Sequence, residues 1–185
     1  VVSYVNTSAD VKAETDICCT SANAVKIVES LGVKKVIFLP DDYLAKYVAS
    51  QTNVEIIAWK GICMVHDQFN EKEIRDIRKN NPGIKIIAHP ECPPDVIKAS
   101  DFAGSTGGMI NYVKDNQPKK VIFLPDDYLA KYVASQTNVE IIAWKGICMV
   151  HDQFNEKEIN DIRQRNPGIK IIAHPECPPD VIKAS

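Results

Sequence analysis

Long apolar stretches are missing from this chain of 185 residues, and no hydrophobic run approaches the roughly 18 residues that a membrane helix needs. No secretory leader is visible, because the first residues have the pattern of a strand. An excess of charge is missing too, since 22 basic and 24 acidic residues give a formal net charge of −2. We therefore expect neither membrane insertion nor nucleic-acid binding.

Cysteine pairs of the CxxC type are also absent, although the chain has six cysteines. Four of them lie in a segment that occurs twice in the chain, as described below. Cys148 is the copy of Cys63 in that repeat, and Cys177 is the copy of Cys92. Only Cys18 and Cys19 lack copies, and we expect them to be small strand residues. A disulfide framework is not indicated, and a reducing, cytosolic origin is expected.

An almost perfect repeat is the main feature that is present. Residues 34–100 recur as 119–185 at an offset of 85, without a gap. The copies differ at three positions: Arg75/Asn160, Lys79/Gln164 and Asn80/Arg165. Natural tandem domains diverge, because many sequences satisfy one core. We therefore interpret the repeat as a very recent duplication or, preferably, as deliberate engineering that retuned one polar helix face.

The same offset aligns the apolar runs of residues 1–33 with those of 86–118. The chain is therefore predicted to contain two units, 1–85 and 86–170, with 171–185 as the start of a third. These last residues either pair at a sheet edge of the first unit, as an interleaved strand, or dock on another chain. The second alternative predicts a homodimer through the C-terminal strand and helix.

Short runs rich in Val and Ile alternate with amphipathic stretches, as in parallel sheets that are covered on both faces. The predicted strands are 1–5, 16–19, 35–39, 54–58, 86–90, 101–104, 120–124, 139–143 and 171–174. The predicted helices are 9–14, 22–31, 43–51 and 71–80, with counterparts 85 residues later. The pattern indicates two similar three-layer α/β/α units with parallel strands in the order 2-1-3-4 and flavodoxin-like layering.

Polar segments follow these strands, where ligands of parallel sheets bind. They are YVNTS, CTSAN, LPDD and WKGICMVH in the first unit, and HPEC, GSTGG, LPDD and WKGICMVH in the second. The aspartate pairs at 41–42 and 126–127 are interpreted as helix caps rather than metal ligands. The GSTGG segment at 104–108 either cradles an anion with its backbone amides or forms a tight turn that needs glycine.

The four histidines of the chain also occur in or beside such polar segments. His66 and His151 either face a pocket or lie in solvated loops, whereas His89 and His174 follow strands and are expected to face a pocket. Trp59 and Trp144 are expected to pack at the edges of the units.

In this order and spacing, YVNTSADVKAETDICCTSANAV, LPDDYLAKYV, WKGICMVHDQF, HPECPPDV and GSTGGM resemble quinolinate synthase, over its middle domain and the start of its third. The resemblance implies three α/β/α domains around a pseudo-threefold axis. It also implies a [4Fe–4S] cluster that is held by one cysteine from each domain and has one iron open to substrate. The implied reaction condenses iminoaspartate with dihydroxyacetone phosphate to give quinolinate for NAD synthesis.

The resemblance also implies roles for individual residues. The implied catalytic residues are Tyr4, His89 and Glu91. The implied substrate-binding residues are Asn6, Ser21, Ser105 and Thr106. Cys63 matches the cluster ligand of the middle domain and Cys148 is its copy, so both are expected to be vestigial ligands.

The departures from the family pattern concern the cluster. The first domain is absent, and after Pro118 the chain re-enters the middle-domain sequence at Lys119, so the third-domain cysteine is missing. We therefore expect no cofactor and no catalysis, and interpret the chain as an engineered chimeric scaffold. Two alternatives are iron–sulfur quinolinate synthase activity in an oligomer, and a phosphate-binding module at the strand ends.

Overall fold

The computed structural model describes all residues, Val1–Ser185, and contains two four-stranded parallel sheets. The strands of the first sheet are β1 (Val2–Tyr4), β2 (Ile17–Cys19), β3 (Lys35–Leu39) and β4 (Glu55–Ala58), in the order β2-β1-β3-β4. The strands of the second are β5 (Lys85–Ala88), β6 (Phe102–Ala103), β7 (Lys120–Leu124) and β8 (Glu140–Ala143), in the order β6-β5-β7-β8. The α/β class and the predicted strand order are confirmed.

Nine helices connect and flank the strands. They are α1 (Ala9–Ala13), α2 (Ala24–Ser30), α3 (Asp42–Gln51), α4 (Glu71–Asn80), α5 (Pro94–Ala99), α6 (Thr106–Asn116), α7 (Asp127–Ser135), α8 (Glu156–Arg165) and α9 (Pro179–Ala184). No helix combines the length and the apolar character that crossing a membrane requires.

Side-chain caps start most of these helices. Asp41 accepts a hydrogen bond from the amide of Leu44 at 2.7 Å and so caps α3, and Asp126 does the same for Leu129 and α7. The interpretation of these aspartates as caps is confirmed. Asn70 and Glu73 form a reciprocal capping box at the start of α4.

The second sheet is covered on both faces. Ile86 and Ile122 point towards α4 and α5, in one apolar cluster with Ile74 of α4. Ile87 and Phe123 point the other way, into a second cluster with residues of α6 and α7. The helix α4 precedes residue 85 in sequence but packs on the second sheet, which follows it. The predicted boundary between the units at residue 85 stays a prediction.

The first sheet is covered on one face only. Val36 and Phe38 pack with residues of α2 and α3, whereas Ile37 is 44% exposed on the opposite face. Its copy Ile122 is only 2% exposed, although the two strands have the same sequence. The difference arises because residues 71–100 cover the second sheet and no segment takes that place on the first. Burial on both faces was therefore expected correctly only for the second sheet.

The predicted strand at 171–174 does not form. Its sequence is that of 86–89, yet the segment pairs with no strand, and Ile172 is 94% exposed. The strand β5 exists because β6 and β7 hydrogen-bond to both of its edges, and the last copy has no such neighbours. Instead α9 packs on α8 around Ile159 and Val181, so the segment does not interleave with the first sheet. Exchange with another chain stays a prediction.

Candidate functional site

A cavity of about 550 Å³ lies at the carboxyl ends of the strands and is shared by both units. Four ionisable lining residues each occur together with their copies: Asp41 with Asp126, Cys63 with Cys148, His66 with His151, and Glu91 with Glu176. Tyr4, the last residue of β1, and Asn6, which follows the strand, complete its polar lining. The duplication therefore places two equivalent sets of side chains around one space.

The first set forms a buried cluster around His66, His89 and Glu91, which are 5%, 3% and 8% exposed. Nδ1 of His66 lies 3.6 Å from Oε2 of Glu91, and the rings of His66 and His89 are 5.1 Å apart. The hydroxyl of Ser21 lies 3.4 Å from Nε2 of His89. The strand ends of the first unit and the start of the second meet at this point.

Burial controls the protonation of this cluster. It lowers the pKa of His66 to about 4 and that of His89 well below its usual range. Burial, together with the charges of Asp41 and Glu176, raises the pKa of Glu91 to about 8. Burial and the charge of Glu91 also raise the pKa of the Tyr4 hydroxyl. At neutral pH the imidazoles are therefore neutral beside a largely protonated carboxyl, an arrangement that can donate or accept a proton.

The second set is more open. Nδ1 of His151 lies 3.3 Å from Oε2 of Glu176, and the ring of His174 stacks on that of His151 at 4.8 Å. The side chain of His174 is 41% exposed, because the strands that would flank its segment are missing. Burial and the charge of Asp126 raise the pKa of Glu176 to about 7.

The structure brings together most of the predicted site residues. Tyr4, Asn6, Glu91, Cys63 and Cys148 line the cavity, and Ser21 and His89 lie in the cluster beside it. Their catalytic and binding roles remain predictions. The structure also settles the open question for His66, which is buried at the cavity rather than solvated.

Ser105 and Thr106 lie away from the cavity lining. Ser105 instead caps α6 by accepting a hydrogen bond from the amide of Gly108 at 3.4 Å. This contact supports the interpretation of GSTGG as a turn. Sequence reasoning also missed the place of Asp41, Asp126 and Glu176 in the lining, although all three follow strand-like runs.

The cysteines do not fit the cluster that the resemblance implies. Cys63 and Cys148 line one cavity, and burial raises the pKa of Cys63, with a smaller contribution from Cys148. Cys19, Cys92 and Cys177 are buried in the apolar cores instead. Two thiols therefore face the cavity where the implied cluster needs three, and the chain itself does not supply that ligand set.

The cavity lining contains no fixed positive charge. Four carboxyl side chains line it, those of Asp41, Glu91, Asp126 and Glu176, and no lysine or arginine does. Such a lining offers phosphate or other anions no positively charged partner.

Comparisons with known proteins identify the family. A family model described as Quinolinate synthetase A protein matches residues 1–122 and again residues 115–185. Quinolinate synthase 2 of Mesorhizobium japonicum is 58% identical over 173 residues, which cover 93% of this chain and 53% of that protein. Quinolinate synthase of Xylella fastidiosa is 52% identical over 149 residues, which cover 80% of this chain and 44% of that protein. The chain thus spans about half the length of these curated relatives, and it belongs to the quinolinate synthase family.

Proposed function

We propose that this chain is a chimeric scaffold built from quinolinate synthase segments, and that it does not catalyse quinolinate formation by itself. One observation carries the proposal: the two thiols that face the cavity, Cys63 and Cys148, are a residue and its copy. The family resemblance implies three thiolates from three different domains. A second copy of one domain does not replace the ligands that the other domains supply.

The arrangement of the family match supports a chimera. The second match begins at residue 115, before the first has ended at 122, so the family sequence restarts within the chain. The restart coincides with the internal repeat, whose copies differ at only three positions. Independent divergence of two natural domains leaves far more core substitutions than this.

Anaerobic reconstitution with iron and sulfide tests the proposal. We expect no cluster absorption and no quinolinate from iminoaspartate and dihydroxyacetone phosphate. The iron content of C63S and C148S should equal that of the unmodified chain. One cluster per chain that is lost in C63S, or any turnover above the protein-free control, would contradict the scaffold function.

The second candidate is quinolinate synthase activity in an assembly where another chain supplies the missing thiolate. The observation that favours it is the grouping of Tyr4 and Glu91 in the cavity lining with His89 in the buried cluster beside them. Activity of reconstituted protein should then rise more steeply than linearly with protein concentration. The phosphate-binding alternative is disfavoured because no lysine or arginine lines the cavity, and no thermal stabilisation by phosphate is expected.

A further inference from the structure

Four buried polar atoms at the first cluster have no hydrogen-bond partner. They are Nδ1 and Nε2 of His66, Nδ1 of His89 and Oε1 of Glu91. Buried polar atoms in folded proteins are nearly always paired, because an unpaired one costs about 1–3 kcal/mol. Four such atoms on three touching side chains indicate that a further binding partner occupies this place.

The atoms converge on one point. One ligand atom from each of His66, His89 and Glu91 lies within 4.8 Å of the other two. Ligand atoms on a single ion lie about 3–3.5 Å apart when metal–ligand bonds are about 2.0–2.2 Å. Small side-chain rotations of roughly 1 Å would therefore bring all three to bonding distance.

The donor set selects the class of ion. Two imidazoles and one carboxylate are the ligands of mononuclear zinc and non-haem iron sites, and they leave coordination positions open. The surroundings agree, since the carboxyl groups of Asp41, Asp126 and Glu176 line the same cavity and no lysine or arginine does. We propose that His66, His89 and Glu91 bind one divalent first-row transition-metal ion, in place of an iron–sulfur cluster.

Neighbouring groups are suited to orient these ligands. The hydroxyl of Ser21 lies at Nε2 of His89, which leaves Nδ1 of that ring for the ion. The Tyr4 hydroxyl lies beside Glu91. Metal-binding histidines commonly use their second ring nitrogen in this way, and such partners fix the tautomer and the ring orientation.

The copied cluster is a built-in comparison. Cys148, His151 and Glu176 also lie within 4.8 Å of one another, but all three are only partly buried. His151 alone contributes an unpartnered buried atom there, and its Nδ1 already lies 3.3 Å from Glu176. The first cluster is therefore the stronger site, because more of its polar atoms lack a partner.

Zinc titration of the whole chain tests the inference, with C63S as the host, so that the Cys63 thiol does not compete and the copied cluster keeps all three of its side chains. Calorimetry should show one tight Zn²⁺ per chain. H66Q and E91Q should each weaken it at least tenfold, whereas the matched changes H151Q and E176Q should alter it less than threefold. Circular dichroism and melting of each variant show whether it is folded.

Two further measurements hold even where a variant unfolds. Long-range ¹⁵N spectra of the folded host should show ring-nitrogen shifts of His66 and His89 on adding Zn²⁺. Co²⁺ added to the chain with its thiols intact should give visible d–d bands without a thiolate charge-transfer band. The inference is overturned by absence of tight Zn²⁺ binding in the host, by loss of binding in H151Q or E176Q but not in H66Q, or by shifts confined to His151 and His174. These readouts use no iron–sulfur cluster and no turnover, so the inference stands or fails independently of the scaffold function.

Discussion

Asp101 shows how much one side chain contributes where several elements meet. Its carboxylate accepts a hydrogen bond from the Ile86 amide at 2.9 Å and forms ion pairs with Arg78 and Lys85, both at 3.0 Å. Burial raises its pKa, but these contacts lower it more, so the folded-state pKa lies below the ordinary value. The end of α4 is thereby tied to the start of β5 and to the turn before β6.

Replacing Asp101 with asparagine should lower the free energy of unfolding at pH 7 by about 1–2 kcal/mol. Because the folded pKa is depressed, the stabilisation is present above the unfolded value of about 3.9 and is lost as the pH falls through the folded value. Urea unfolding of D101N and the unmodified chain between pH 2 and 7 measures this, and the two should converge at the acidic end. D115N, at an exposed position of α6, serves as the control and should match the unmodified chain at every pH. If the loss of unfolding free energy in D101N did not change with pH, the negative charge of Asp101 would not be the source of the stabilisation.

At the scale of elements, β3 and β7 have one sequence and two environments. Lys35–Leu39 and Lys120–Leu124 are both KVIFL, and both lie at the same place in their sheets. Ile37 is nevertheless 44% exposed where Ile122 is 2% exposed. The helices α4 and α5 make the difference, because they pack over β7 and no equivalent segment packs over β3.

The pair of strands allows a matched mutational test. Ile122→Ala should destabilise the second unit by about 2–4 kcal/mol, because it leaves a cavity under α4. Ile37→Ala should cost less than about 1 kcal/mol, since much of that side chain is already in water. Urea unfolding followed by Trp144 fluorescence in a W59F background reports on the second unit, and circular dichroism reports on both. Equal costs for the two substitutions would mean that the face of the first sheet is covered in solution.

The same comparison shows what sequence could and could not predict. The positions and order of β1 to β8 followed from Val and Ile runs, and Asp41 and Asp126 from their place before helices. The choice of Tyr4, His89 and Glu91 as site residues came from the family resemblance, whereas the strand-end rule indicated only that YVNTS and HPEC follow strands of their own sheets. Burial of Ile37 and a strand at 171–174 were predicted wrongly, because both depend on segments distant in sequence that this chain does not provide. Ser105 does not line this cavity and caps α6 instead, so its predicted binding role stays a prediction.

At the scale of the whole molecule, the C-terminal segment is the part whose sequence and surroundings disagree most. Ile172 is 94% exposed, whereas its copy Ile87 is fully buried between two strands. An exposed apolar segment with unpaired backbone groups invites contact with another chain.

Ile172→Lys should therefore leave the unfolding free energy unchanged and reduce any self-association. Ile87→Lys should destabilise the protein severely, by several kcal/mol, because it buries an unpaired charge. Chemical unfolding measures the stability of both variants. Sedimentation velocity at several concentrations measures the self-association of I172K. Severe destabilisation by I172K would show instead that the segment is buried within its own chain.

The unpaired segment has a consequence for lengthening the protein. Residues 171–174 lack the two flanking strands that 86–89 possess, and those strands are residues 102–103 and 120–124. Adding a copy of residues 101–143 after Ser185 would supply both strands, so that residues 171–174 become an inner strand of a third sheet. The protein could in this way be lengthened in steps of 85 residues, with residues 171–185 as the start of the next repeat.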